Sequence, residues 1–98
     1  MRPAKLKILG KKWSVDYVTD VPLAKDEMGL CDLEAKAIHV KDGIKKEQES
    51  STLLHECIHA ISDSLGLGLT EKQVQGLETG LFDLNNSNPR FFSYLRKR

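Results

Sequence analysis

The residues best suited to chemistry form the pentapeptide His55-Glu56-Cys57-Ile58-His59, which has the spacing HExxH. On a helix, positions i and i+4 project from one face on successive turns, so His55 and His59 can each offer an imidazole nitrogen to one metal ion. Glu56 lies at the neighbouring edge of that face, where it can take a proton from a water that the metal activates. The motif therefore predicts a zinc-dependent enzyme that hydrolyses peptide bonds, with Glu56 as general base.

An accidental match is the competing interpretation. Shuffling a chain of this composition gives roughly 0.006 expected HExxH matches, which makes accident improbable. If the match were accidental, the two histidines would simply face solvent on a helix, with a helix-favouring glutamate between them. We therefore retain the metal-binding interpretation.

A catalytic zinc site usually takes three protein ligands, so the motif needs one more residue. The candidates are His39, upstream on a predicted strand, and Glu71 and Glu78, downstream on a predicted helix. If the glycine-rich turn at residues 66–68 joins two antiparallel helices, Glu78 arrives near the level of both histidines, whereas Glu71 stays roughly 10 Å below the metal. We predict Glu78 as the third ligand and keep Glu71 as the alternative. Either glutamate could instead be an ordinary surface residue, and Glu71 also suits a helix N-terminus.

Length and composition bound the fold and the partners. A chain of 98 residues with 40% hydrophobic and 30% charged residues predicts one domain, residues 1–98, with one modest core. The N-terminal segment lacks the apolar core of a signal peptide, which predicts a cytoplasmic location. A net charge of +1 gives no large field for capturing nucleic acid or a membrane. Cys31 and Cys57 are too few for a disulfide framework, and Cys57 is expected in a buried apolar position.

Short β-rich runs precede the motif. They predict three or four short strands, with residues 5–9, 13–18, 29–33 and 37–40 as the candidates. Gly10-Lys11-Lys12 predicts a hairpin or two neighbouring strands between the first pair, and the second pair could join across residues 34–36.

Helical periodicity follows. An apolar stripe predicts an amphipathic helix over residues 46–65 that ends at Gly66 and Gly68; the stripe contains Leu54, Ile58, Ile61 and Leu65, and the wetter edge Thr52, His55, His59 and Ser62. Thr70 and Gln73 fit a capping box that starts a second helix. Its stripe should pack on the first helix and contains Val74, Leu77, Leu81 and Leu84.

The last segments complete the predicted fold. Residues 85–89 end the second helix, and residues 90–98 predict a short helix laid over the core. A basic arm for nucleic acid is the alternative for this tail, which we interpret as solvated instead. The fold class is therefore α+β, a small antiparallel or mixed sheet packed on the HExxH helix, followed by a second antiparallel helix.

The motif and its surroundings resemble a known group of enzymes. Residues 51–61, 65–74 and 80–84 are similar to the small phage and prophage metallopeptidases related to the ImmA/IrrE and SprT-like groups, over about residues 28–89. The resemblance implies a minimal zincin fold, with HExxH as ligands and base and an acidic third ligand from the following helix. The spacing from His59 to Glu78 is also similar to that of thermolysin-like gluzincins.

The implied reaction needs a place for its substrate. An extended protein or peptide substrate would add to an edge strand, for which residues 37–40 are the candidate. Candidates for a residue that stabilises the transition state are His39, Tyr17 and Tyr94, each of which is first interpreted as structural.

A second functional hypothesis is a catalytically silent domain that zinc stabilises and that works by binding a protein. Glu56 argues against it, because a structural site needs ligands but no base.

Overall fold

A computed structural model describes residues 1–96 of the chain. The fold is α+β, with a four-stranded mixed sheet and three helices. In chain order the elements are β1 (Lys5–Ile8), β2 (Lys11–Val18), β3 (Gly29–Asp32), β4 (Ala37–Lys41), α1 (Lys46–Leu65), α2 (Glu71–Ser87) and α3 (Phe91–Leu95).

The first two strands form the predicted hairpin. β1 pairs antiparallel with β2, which places Leu6 opposite Trp13. Leu9 and Gly10 form the turn with φ angles of 49° and 81°. Two consecutive positive φ values give the mirror-image turn that matches the twist of paired strands.

The strand order is β1-β2-β4-β3. β4 runs parallel to β2 and antiparallel to β3, so it is an interior strand. The prediction that residues 37–40 form an edge strand is therefore wrong, and β3 is the edge on that side. The parallel pairing of β2 with β4 explains why the prediction failed. The long connection between these two strands contains β3, which pairs with the far side of β4 and so becomes the edge.

One face of the sheet packs on α1. The core cluster joins both elements and contains Ile8, Trp13, Val15, Ile38, Val40 and Ala60. Leu53 and Cys57 of α1 pack against it, and the predicted burial of Cys57 is only partial. The predicted apolar stripe of α1 is only partly buried, since Ile61 and Leu65 are 39% and 56% exposed. The small residues Ala60 and Cys57 face the sheet, which lets the helix approach the strands closely.

α2 begins with the predicted capping box. The Thr70 side chain accepts a hydrogen bond of 3.1 Å from the Gln73 backbone N–H, and the Thr70 N–H donates at 2.9 Å to the Gln73 side chain. Within α2 only Val74 and Glu78 are buried, while Leu77 is 44% exposed. The helix therefore packs on α1 through a narrow strip.

The C-terminal segment forms a short helix but does not cover the core as predicted. No residue of α3 is buried. Residues 97–98 of the predicted tail lie outside the described part of the chain. Among the helices of residues 1–96, none combines the length and apolarity needed to span a bilayer.

Candidate metal centre

The HExxH motif lies in the middle of α1, as the periodicity predicts. The imidazole rings of His55 and His59 have centroids 5.0 Å apart with an angle of 66° between their planes. Both rings are partly exposed in a groove of about 1110 Å³ between β3, α1 and α2. The two histidines therefore present their nitrogens to one open space.

Glu71 supplies a carboxylate at the same point. Its oxygens lie 3.2 Å and 3.4 Å from His59 Nε2, and one of them also contacts His55 Nε2. Ligand atoms about 2.05 Å from a tetrahedral zinc ion lie about 3.3 Å from one another. Within the described residues His55, His59 and Glu71 form a group whose ligand atoms all lie within 4.8 Å of one another and could hold a metal ion.

The connection between the helices brings Glu71 to this position. The Leu67 N–H donates to the Ser62 carbonyl at 2.8 Å, and the Leu69 N–H donates to the Ser62 hydroxyl at 3.0 Å. The chain thus folds back along the last turn of α1 before α2 begins. Glu71, in the first turn of α2, therefore reaches the level of His59, and the expected gap of roughly 10 Å does not arise.

Glu78 lies two turns further along α2, on the other side of His55. One carboxylate oxygen is 2.9 Å from His55 Nδ1, and the other accepts a hydrogen bond from the Ser51 hydroxyl. The predicted third ligand thus meets the nitrogen of His55 that faces away from Glu71. A hydrogen bond from Nδ1–H to a carboxylate leaves the Nε2 lone pair free for a metal.

Glu56 occupies a buried position beside β3. It is only 8% exposed, and among residues 1–96 no side chain or backbone group forms a hydrogen bond or ion pair with its carboxylate. Burial raises the pKa of Glu56, against the opposing influence of the two histidines. A carboxylate that is buried, unpaired and open to a groove is available to a ligand in that groove.

The close approach of β3 to α1 depends on Gly29. A Cβ atom at this position would lie 2.5 Å from Thr52 Cγ2 and 3.0 Å from a Glu56 carboxylate oxygen. No larger residue fits unless the Thr52 side chain, the strand or the helix moves. The sequence carried a signal here, since an isolated glycine in a strand often marks a close backbone approach.

Electrostatic attraction organises the ligand group. Burial lowers the pKa of His55, but hydrogen bonds with Glu78 and Glu71 outweigh it and raise that pKa above its usual value. Burial acts to raise the pKa of Glu71, but the neighbouring histidines hold it below its usual value. The charged forms of the imidazole and carboxylate groups thus stabilise one another in this cluster.

The other predicted site residues lie elsewhere. His39 alternates with the core residues Ile38 and Val40, so it lies on the opposite face of the sheet, with Nδ1 3.7 Å from an Asp16 carboxylate oxygen. The Tyr17 hydroxyl donates to the Pro3 carbonyl at 2.7 Å. Tyr94 is 78% exposed on α3. None of these three predicted residues lines the groove.

Comparison with known proteins adds no relative. No protein-family model matches the chain, and no curated protein or solved structure matches it significantly.

Proposed function

We propose that the protein is a zinc-dependent metallopeptidase of the minimal zincin type. The observation that carries the proposal is the convergence of His55, His59 and Glu71 beside a buried carboxylate with no protein partner. Two imidazoles and one carboxylate form the donor set of catalytic zinc sites that keep an open position. A small sheet packed on the helix that carries HExxH is compatible with this fold type.

Different residues of the chain would bind the metal, orient a ligand and transfer the proton. His55, His59 and Glu71 would hold the ion, while Glu78 and Ser51 fix the ring orientation of His55. Zinc, when bound, supplies a Lewis acid that polarises water and the scissile carbonyl. Glu56 takes the proton of the attacking water and returns it to the leaving amine nitrogen.

The raised pKa of Glu56 suits this role. A carboxylate at its ordinary pKa is a weak base near neutral pH, and burial makes it a stronger one. No described group hydrogen-bonds to its carboxylate, and Glu56 lines the groove, so the carboxylate is available to a water there.

The edge of the sheet offers a place for the substrate backbone. The Lys41 N–H donates to the Met28 carbonyl at 2.8 Å, and the ladder continues with Leu30 opposite His39. Antiparallel pairs alternate, so the backbone N–H and C=O groups of Gly29 and Cys31 point to the open edge. A protein or peptide segment in extended form can pair there, next to the metal centre.

Metal analysis and cleavage assays test the function together. Purified protein is loaded with one equivalent of zinc, dialysed and analysed for bound metal beside Glu56→Gln. It is then incubated with a mixture of unstructured peptides and the products are identified by mass spectrometry. We expect one zinc per chain in both proteins and cleavage that falls about 10²- to 10⁴-fold in the variant.

Two results would contradict the proposal. A wild-type protein that binds no zinc would remove the metal centre. One zinc per chain with no difference in cleavage between wild type and Glu56→Gln would favour the alternative, a catalytically silent domain that zinc stabilises for protein binding.

A further inference from the structure

The groove is far more acidic than the rest of the molecule. It holds six of the fourteen acidic residues of the chain but only one of the fifteen basic residues, Lys45. The acidic residues are Glu27, Glu47, Glu56, Asp63, Glu71 and Glu78. The chain as a whole has a net charge of +1, so this negative charge is local.

Half of these carboxylates are not needed to hold or assist a metal. Glu27 has a structural role, since its side chain accepts the Ala24 N–H at 2.8 Å. Glu47 and Asp63 form no ion pair or side-chain hydrogen bond with any residue in the range 1–96. The formal charge of the lining is −5, and a bound divalent ion would leave −3.

The stability of α1 does not account for Asp63. Glu47 lies in the first turn of α1, where the helix dipole favours a negative charge. Asp63 lies near the other end of the helix, where the dipole disfavours one and where no basic residue compensates. Asp63 is exposed at the groove, so its carboxylate is available to a ligand outside the chain.

The two free carboxylates flank the metal centre. With a rise of ~1.5 Å per residue, Asp63 lies about 6 Å beyond His59 and Glu47 about 12 Å before His55 along α1. An extended peptide advances ~3.3 Å per residue. A peptide along the groove would thus pass Asp63 about two residues beyond His59, and Glu47 about four residues before His55.

We infer that the groove selects peptide segments that carry lysine or arginine on both sides of the metal centre. The inference deepens the proposed peptidase function and rests on it. Positive side chains meet unpaired carboxylates at both ends of the groove, while acidic peptides meet net repulsion even with the ion bound.

Binding measurements test the charge preference without requiring turnover. Zinc-loaded Glu56→Gln protein is titrated into fluorescein-labelled dodecapeptides of alternating glycine with lysine, serine or glutamate, and anisotropy is recorded at low and at physiological salt. We expect the lysine peptide to bind at least about tenfold more tightly than the glutamate peptide, with a preference that shrinks as salt rises. Equal binding of the three peptides would overturn the inference.

A matched pair of variants locates the effect. Glu47→Gln/Asp63→Asn removes two charges from the groove, and Glu34→Gln/Asp83→Asn removes the same two types from exposed positions outside it. The groove variant should weaken binding of the lysine peptide about fivefold, and the control by less than about twofold. Equal losses in both variants would show bulk attraction and overturn the inference.

Cleavage products separate this inference from the proposed function. Wild-type protein that cuts a peptide mixture with no enrichment of lysine or arginine near the cut bonds would keep the peptidase function and overturn the selectivity. Selective binding of the lysine peptide with no cleavage by wild type would instead remove the peptidase function and support the groove's preference as a binding property.

Discussion

Glu71 and Glu78 meet opposite nitrogens of one imidazole ring. Glu71 contacts Nε2 of His55 and Nε2 of His59, whereas Glu78 accepts from Nδ1 of His55. A metal ion can use the first carboxylate as a ligand, while the second orients the ring from behind. Replacement of one glutamate should therefore affect metal affinity differently from replacement of the other.

Replacing each glutamate should separate these roles. Glu78→Gln should lower zinc affinity about 10- to 100-fold, because it loses a charged acceptor behind His55. Glu71→Gln should lower it further, because it removes a ligand from the three-residue group. Competition titration against a chromophoric chelator measures both values, and the reverse order would identify Glu78 as the ligand.

The two thiols provide a residue-scale test of burial. Burial raises the pKa of Cys31 to about 12 and that of Cys57 to about 11. In the unfolded chain a thiol ionises near pH ~8.5, so between pH 8.5 and 10 the unfolded state releases protons that the folded state keeps. The free energy of unfolding should therefore fall as pH rises through this window.

Denaturant unfolding at several pH values measures this fall, and Cys31→Ala/Cys57→Ala should flatten it. At pH 8 both native thiols should also react slowly with a disulfide reagent, and quickly once the chain is unfolded. Fast labelling of the native protein would contradict the burial of these side chains beside α1 and β3.

The position of β3 against α1 sets the shape of the site. Gly29 allows the strand backbone to approach Thr52 and Glu56, and the same strand presents its open edge to the groove. The positions of the strand and of the Glu56 side chain are thus linked through one residue without a side chain.

Gly29→Ala should disturb activity more than metal binding. The added Cβ would lie 2.5 Å from Thr52 Cγ2, so the Thr52 side chain, the strand or the helix must shift at a cost of about 1–3 kcal/mol. We expect cleavage to fall while zinc content stays near one per chain. Thr52→Ala in the same protein should restore part of the loss, because it removes the nearest atom.

Gly80→Ala is the matched control. Nothing lies within 4 Å of a Cβ at this exposed helical position, so alanine should stabilise α2 by about 0.5–1 kcal/mol without changing cleavage. If both glycine variants lose cleavage equally, close approach at Gly29 is not the cause.

Elements with local signals were predictable from the sequence. Apolar periodicity and the glycines at 66 and 68 bounded α1, and the pair Thr70 and Gln73 marked the start of α2. The sheet order was not predictable in this way, because the parallel pairing of β2 with β4 joins distant segments.

In the candidate site too, the residues that share one element were predictable and the others were not. His55, Glu56 and His59 come from one helix, so their spacing alone places them together. The position of Glu71 depends on the Ser62 contacts that fold the connection back, and no spacing rule contains them. Glu47 and Asp63 line the site only because the strand edge and both helices form one groove, and the sequence alone does not show that groove.

α2 is attached to the rest of the molecule by a narrow contact. It buries only Val74 and Glu78, yet it supplies Glu71 to the ligand group on α1. A metal bound to both helices would add a second attachment between them. Zinc affinity and the docking of α2 should therefore depend on each other.

Unfolding experiments with and without zinc test this coupling. A ligand that binds only the folded state at 1,000 times its dissociation constant adds about 4 kcal/mol to the free energy of unfolding. Trp13, the single tryptophan, is 3% exposed and reports unfolding by fluorescence. We expect zinc to stabilise the wild type by this order of magnitude and to stabilise Glu71→Gln much less.

Val74→Ala tests the same coupling from the packing side. Val74 is fully buried, so the truncation should cost about 2 kcal/mol and loosen α2. Because a looser α2 presents Glu71 less often, zinc affinity should fall in a variant whose ligands are all intact, and amide hydrogen exchange in α2 should slow when zinc is added. Unchanged zinc affinity in Val74→Ala, with α2 exchange insensitive to zinc, would show that the metal centre is held by α1 alone.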